Sequence, residues 1–224
     1  MPFILPSRRA MRDLFDGEAE PPVVTMAAGA VLLRGFARPY EAELLAALRD
    51  VLAISPFRHM TTPGGHVMSV AMTNCGAAGW LTDRSGYRYD GIDPKTASPW
   101  PAMPDCFAAL ARAAAEAAGH GGFQPDACLI NRYIPGARLS LHQDRNERDV
   151  AHPIISVSLG LPATFLFGGA RRYDRPRRFA LEHCDIAAWG GPSRLHFHGV
   201  AELKDGEHDM LGRQRINLTF RKAL

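Results

Sequence analysis

From residue 127 to the C-terminus the chain is divided into short, strand-like segments at near-regular spacing: "ACLINRY", "RLSLHQD", "PIISVSLGL", "ATFLFGG", "RRFALEH", "DIAAWGG", "SRLHFHGV" and "RQRINLTFRK". Segments this short and this numerous, punctuated by turn residues, favour a β-sandwich or jelly roll in the C-terminal half. The expected fold class is α+β and mainly β. Pairing order is not deducible from the strands alone, and no internal repeat is visible.

Two helices precede this half. Residues 42–53, "AELLAALRDVLA", repeat Leu and Ala at helical spacing and stop before Pro56. Residues 105–119, "DCFAALARAAAEAAG", open on Asp105 as an N-capping acid and end on Gly119. Between them, "TTPGGHVMSVAMTNCGAAGWLTDRSGYRYDGIDPKTASPWPAMP" is rich in Gly, Pro, Asp and Asn, and reads as a surface-lying insertion of hairpins and loops.

A chain of 224 residues with 46% hydrophobic content can bury one sizeable core. We expect one domain over residues 24–224, preceded by a loose, flexible extension at residues 1–23. The apolar stretch of that extension is too short for a secretory signal, and no later window is long enough to span a bilayer. Cys75, Cys106, Cys128 and Cys184 are scattered with no CxxC pair. That argues against a zinc knuckle or a disulfide framework and fits a reducing cytoplasm. The net charge of +3 is too mild by itself to signal a nucleic-acid partner, so its distribution matters more than its sum.

Chemistry concentrates in "LINRYIPGARLSLHQDRNE". On a strand, residues two apart share a face, so Ser140, His142 and Asp144 would point one way and bring an imidazole and a carboxylate to a common point. Such a pair is often only a hydrogen bond, so a further ligand is required to give it meaning. "SRLHFHGV" offers His196 or His198. Two histidines and one carboxylate on one face of an octahedron leave three positions open, as in non-haem Fe(II) oxygenases. Structural zinc would demand four closed ligands, usually with thiolates, and these are missing.

The last strand adds a second requirement. In "RINLTFR", Arg215, Asn217, Thr219 and Arg221 share one face while Ile216, Leu218 and Phe220 share the other. Two guanidinium groups facing a core side demand anions. Their Cα atoms lie roughly 20 Å apart at ~3.3 Å per residue, and long side chains leaning together narrow that to a gap suited to a short dicarboxylate such as a five-carbon 2-oxoacid. The competing reading makes Arg221 a solvated chain end and Arg215 a surface residue.

The ordered set "NRY", "LHQD", "SRLHFHG" and "RINLTFR", together with "PGGHVMSVAMTNCG" and "FQPDACLINRY", resembles the AlkB family of bacterial Fe(II)/2-oxoglutarate-dependent alkylated-DNA repair dioxygenases, from about residue 24 to the C-terminus. The resemblance implies a double-stranded β-helix (jelly-roll) core over residues 127–224, supporting helices, and a nucleotide-recognition lid at about residues 55–100. It implies Fe(2+), 2-oxoglutarate and O2 as cofactor and cosubstrates. His142, Asp144 and His198 match the metal ligands, His198 because it directly precedes Gly199. Arg215 matches the arginine holding the distal carboxylate of 2-oxoglutarate and Arg221 the one near the chelating carboxylate, with Asn131, Tyr133 and Asn217 as polar neighbours.

On the substrate side, the resemblance places Trp80 opposite His142 to stack a damaged base and makes Tyr87 a phosphate contact; without it they read as a core aromatic and a loop residue. Arg172 belongs to "ARRYDRPRR", a run with Arg171, Arg175, Arg177 and Arg178 that is either a solvated hairpin or a phosphate contact. One position departs from the family: two residues after Asp144, where an acid often faces the base, this chain has Asn146 followed by Glu147. A neutral amide attracts a cationic methylated base less. The activity implied is oxidative demethylation of 1-methyladenine- and 3-methylcytosine-type bases in single-stranded or flipped-out nucleic acid, DNA or RNA, with release of formaldehyde, by a cytoplasmic monomer with no membrane partner. The alternatives are an Fe(II)/2-oxoglutarate hydroxylase of a small molecule or protein side chain, and a non-catalytic nucleic-acid-binding β-domain.

Overall fold

The computed structural model describes residues 23–224. The expected N-terminal extension lies, apart from Val23, outside the described residues. Val23 opens β1 (Val23–Ala27), which pairs with β2 (Ala30–Leu33). Helix α1 (Glu41–Ile54), β3 (Arg58–Thr61) and β4 (Val67–Gly76) follow. The hairpins β5 (Gly79–Asp83) with β6 (Gly86–Asp90), and β7 (Ile92–Asp93) with β8 (Ser98–Pro99), lead into α2 (Asp105–Ala117). The second half runs β9 (Ala127–Tyr133), β10 (Leu139–His142), β11 (Ile154–Gly160), β12 (Ala163–Phe167), β13 (Arg177–Leu181), β14 (Ile186–Trp189), β15 (His198–Val200) and β16 (Arg215–Arg221). Each of the segments expected as a strand contains one.

Two antiparallel sheets face each other. The larger has the order β1-β2-β14-β11-β16-β9-β4-β3, and the smaller β10-β15-β12-β13. The period of two along each strand divides the interior into two layers. On β16, Ile216, Leu218 and Phe220 enter the layer between the large sheet and the helices, where Phe107 meets Phe220 edge-on at 6.0 Å. On β9, Leu129 and Tyr133 enter the other layer, with Phe165, Phe167, Phe179 and Leu181 of the small sheet. Burying each such side chain contributes about 1.5–3 kcal/mol. This is the jelly-roll arrangement expected, with the helices backing the large sheet.

Helix α2 buries Phe107, Leu110, Ala111, Ala114 and Ala115, the i, i+3, i+4, i+7, i+8 stripe of an amphipathic helix. Its start differs from the sequence expectation. Pro104 occupies the N-cap without a side-chain cap bond, and Asp105 is the first helical residue, where its charge still complements the helix dipole. Gly119 does end it, at φ +79°, and the N–H of His120 closes on the Ala115 carbonyl at 2.8 Å.

The segment expected to lie wholly on the surface divides in two. Its first part, β4, is built into the large sheet between β3 and β9, with Val70 to Cys75 buried. Only the part from Gly79 onward forms separate small hairpins beside that sheet. The first half of the chain thus supplies four of the eight strands of the large sheet: β1, β2, β3 and β4.

Candidate active site

Strand β10 pairs with β15, setting His142 directly across from His198. The rings lie 4.4 Å apart between centroids. Close approach of these strands needs Gly199, where a Cβ would sit 2.6 Å from the Leu139 carbonyl oxygen. Asp144 differs from expectation in how it arrives. The strand ends at His142, after a register shift, so Asp144 converges from the irregular loop that follows rather than from a shared strand face. Its carboxylate oxygens stand 3.8 Å from His142 Nε2 and 3.7 Å from His198 Nε2, and the three donor atoms lie within 4.8 Å of one another.

The histidines are oriented for coordination. Nδ1 of His142 faces the Ser140 carbonyl at 2.9 Å, and Nδ1 of His198 faces the His196 carbonyl at 3.0 Å. A nitrogen facing a carbonyl carries the proton, so both rings present the Nε2 lone pair to the Asp144 carboxylate. His196 contributes that carbonyl and packs its ring on Phe167 at 5.6 Å, outside the cluster. Burial, and then the neighbouring His198, lower the pKa of His142 to about 4, although a 35% exposed side chain lets solvent relieve part of this. Burial alone would raise the Asp144 pKa; the Arg221 guanidinium outweighs it and holds the carboxyl well below its ordinary value. Two neutral imidazoles and one carboxylate form a divalent-metal donor set. Trp189 and Phe165, with ring centroids 4.8 and 6.1 Å from His198, wall off its apolar side.

The polar face of β16 lies beside this cluster. Arg221 donates to Asp144 Oδ2 from Nε at 3.1 Å and from a terminal nitrogen at 2.8 Å, so its guanidinium abuts the carboxylate itself. Arg215 is 1% exposed and lies over the Tyr133 ring at 5.1 Å. It donates to Ser158 Oγ at 3.0 Å, while its Nε and second terminal nitrogen have no hydrogen-bond partner among the described residues. Asn217 donates to Ser156 Oγ and the Val157 carbonyl and accepts from Thr219; Asn131 donates to it at 3.4 Å and keeps its own oxygen unpartnered. A buried guanidinium with two orphaned donors is costly unless an anion completes it. A carboxylate of 2-oxoglutarate fits that requirement.

Trp80 stacks on Tyr87 at 5.7 Å with planes 26° apart, and its indole N–H reaches Asn146 Oδ1 at 3.4 Å, on the same loop as Asp144. Tyr87 remains 49% exposed. The Trp80 backbone is locked by both ends of the buried Asn74 amide, at 3.0 and 3.1 Å. Arg172 stays exposed on the hairpin between β12 and β13, its guanidinium 5.8 Å from the Phe197 ring. From the same run, Arg177 turns inward to the Met26 carbonyl at 2.8 Å. Asn74, Tyr89 and Arg194 were not singled out by the sequence, and Glu147 appeared only as the neighbour of Asn146.

A second group of ligand-type residues, Glu41, His183 and Cys184, is a different arrangement. His183 Nδ1 accepts the Gly160 N–H at 2.8 Å, so Nε2 carries the proton and donates it to Glu41 at 2.6 Å. Both ring nitrogens are committed, which leaves no lone pair for a metal. Burial pushes the Cys184 thiol up to about 11.

Comparison with known proteins agrees with this geometry. The 2OG-Fe(II) oxygenase superfamily profile matches residues 29–221. The alpha-ketoglutarate-dependent dioxygenase AlkB of Escherichia coli (strain K12) is 58% identical over 213 residues, covering 95% of this chain and 98% of that protein. Its counterpart from Salmonella typhimurium is 59% identical over the same length. The solved structure of OsALKBH1 superposes with a TM-score of 0.79 at 27% identity, covering 90% of this chain and all of that one. With profile, sequence and fold agreeing over nearly its whole length, the chain belongs to the AlkB family of the 2OG-Fe(II) oxygenase superfamily and is an Fe(II)/2-oxoglutarate-dependent dioxygenase.

Proposed function

We propose that this dioxygenase oxidatively dealkylates N-alkylated bases, of 1-methyladenine and 3-methylcytosine type, in single-stranded or flipped-out DNA, and so reverses the damage directly. The observation that carries the reading is the coincidence of a three-donor cluster, a buried guanidinium with orphaned donors on the same strand as the Arg221 that grips Asp144, and an aromatic stack whose indole reaches the Asp144 loop. His142, Asp144 and His198 would hold Fe(II). Arg215, with Tyr133 and Asn131 beside it, would hold the distal carboxylate of 2-oxoglutarate, and Arg221 would stand near the chelating end. Bound there, the metal and 2-oxoglutarate would supply the means to use O2, one oxygen atom converting 2-oxoglutarate to succinate and CO2 and the other hydroxylating the N-alkyl carbon, whose hemiaminal then releases the alkyl group as an aldehyde and leaves the repaired base.

The chain's own residues position and shield. A base within a duplex cannot reach a jelly-roll mouth, so the nucleotide must be single-stranded or extruded, and alkylation that already breaks pairing lowers that cost. Trp80 offers a stacking face worth about 1–3 kcal/mol per base. Tyr87 and Arg172 are exposed and would contact phosphates of the strand. Asn146 faces the base edge as a neutral hydrogen-bonding group. The working form is taken to be a cytoplasmic monomer; among the described residues the cysteines are free and no helix is long and apolar enough to cross a membrane.

Single-turnover reactions on one methylated oligonucleotide, with and without 2-oxoglutarate, test the proposal. Succinate and formaldehyde should appear together, only when both are present. His142→Ala or Asp144→Ala should abolish both while circular dichroism stays unchanged. Retained turnover in either variant contradicts the ligand assignment, and binding indifferent to iron and 2-oxoglutarate contradicts the enzyme reading.

A further inference from the structure

Asp144 lies on irregular chain beyond the end of β10, where no sheet ladder fixes it. Two buried residues do that work. Arg194 is 3% exposed and spreads its guanidinium over three acceptors: its Nε donates to the His152 carbonyl at 2.7 Å, one terminal nitrogen to the Asp144 carbonyl at 2.6 Å, and the other to Glu147 Oε2 at 3.1 Å. The tie is reciprocal, because Gln143 donates its amide back to the Leu195 carbonyl at 2.6 Å. The loop 143–147 and the segment 194–195 are therefore strapped together on either side of the ligand.

Glu147, with a side chain 1% exposed, extends the strap in two directions. Its Oε1 lies 3.4 Å from Arg221 Nε, the group that also grips Asp144, and accepts the Tyr89 hydroxyl at 2.7 Å. Tyr89 sits on β6, paired directly with Trp80 of β5. A carboxylate this enclosed is stable only while its charge partners stay in place, so it couples whatever they touch.

We infer that Arg194 and Glu147 are positioning residues: a buried brace that fixes the backbone and carboxylate of Asp144 for the metal and, through Tyr89, ties that geometry to the strand pair carrying Trp80. Partners that orient a liganding carboxylate typically change metal affinity by about 10- to 100-fold when removed. The brace also makes metal binding and substrate-strand engagement mutually dependent, because a coupling between two sites acts equally in both directions. The inference rests on the assignment of Asp144 as a metal ligand.

The test is the affinity for Co2+, measured by calorimetry on folded protein with and without a methylated oligonucleotide. Glu147→Gln, nearly isosteric, and Arg194→Lys, which keeps the charge but loses the three-way fork, should each weaken Co2+ binding about 10-fold or more with an unchanged circular dichroism spectrum. A merely structural role would lower the melting temperature and leave the affinity of the folded protein alone. Tyr89→Phe should reduce the mutual enhancement between Co2+ and oligonucleotide. Asp144→Asn separates the two readings. If it leaves Co2+ affinity unchanged, the ligand assignment fails; if it abolishes binding while Glu147→Gln and Arg194→Lys stay within twofold of wild type, the brace alone is refuted. Should Arg194→Lys not fold, Glu147→Gln decides the brace and Tyr89→Phe its link to the hairpin; an unchanged enhancement in Tyr89→Phe overturns that link.

Discussion

Replacing Arg215 with methionine should stabilise the metal-free protein while destroying its use for 2-oxoglutarate. The guanidinium is buried at 1% exposure, burial lowers its pKa, and no carboxylate among the described residues pairs with it. Two of its donors have no partner. At about 1–3 kcal/mol each, those orphaned donors outweigh the hydrogen bond to Ser158 Oγ, worth about 1 kcal/mol. The contact over Tyr133 returns about 1–2 kcal/mol. Taken at their midpoints, these terms leave Arg215→Met a net gain of about 1.5 kcal/mol, within the range of about 1–4 kcal/mol found when buried ions are replaced by well-packed apolar groups. In a domain of this size that raises Tm by about 3–6 °C. Urea unfolding followed by circular dichroism reads the difference without cosubstrate. With Mn2+ replacing iron and 2-oxoglutarate at a hundred times its Kd, wild type should gain about 2.7 kcal/mol and the variant nothing, so the ranking inverts. A variant less stable than wild type in the absence of 2-oxoglutarate would refute the reasoning, because it would mean that Arg215 is satisfied without an anion.

Three further outcomes follow from the same geometry. Trp80→Ala should weaken binding of a methylated oligonucleotide by about 1–3 kcal/mol in fluorescence anisotropy, and an unaltered Kd would remove the stacking role. Asn146→Asp should raise turnover of 1-methyladenine and 3-methylcytosine in their cationic forms relative to a neutral etheno adduct; an unchanged ratio sinks the electrostatic reading of this position. Burial raises the Cys184 pKa from 9.0 to about 11, so the folded protein keeps this proton after the unfolded chain has released it. That stabilisation is complete below pH 9 and is lost as the pH rises towards 11, so Cys184→Ala should lose less stability over this window than wild type; parallel curves would be the contrary result.

The parts of the molecule visible in the sequence are those where one short period decides everything. "RINLTFR" alternates cleanly, and its strand is β16 with the expected faces. The pair His142 and Asp144 was legible because imidazole and carboxylate are chemically conspicuous two residues apart. What stayed hidden depends on partners distant in sequence. Strand β4 is buried on both sides, so "VMSVAMTNCG" shows no alternation, and its flanking glycines resemble loop. The order of the sheets is decided by pairings such as β16 with β9, 82 or more residues apart across the ladder, which no local pattern encodes. Glu147 and Arg194 look like ordinary surface charges in sequence, and only their mutual burial reveals a role.

Strand β16 carries hydrocarbon on one side and ionic groups on the other at alternate positions. Sliding it by a single residue would drive two guanidinium groups into the oily layer beneath α2 and turn Phe220 towards the cluster of His142, Asp144 and His198. Such a mis-threaded chain loses its cohesion at the same stroke as its reactivity. Molecules that survive cellular quality control should therefore arrive with the oxidation centre properly framed, and a stable yet miswired population should not accumulate.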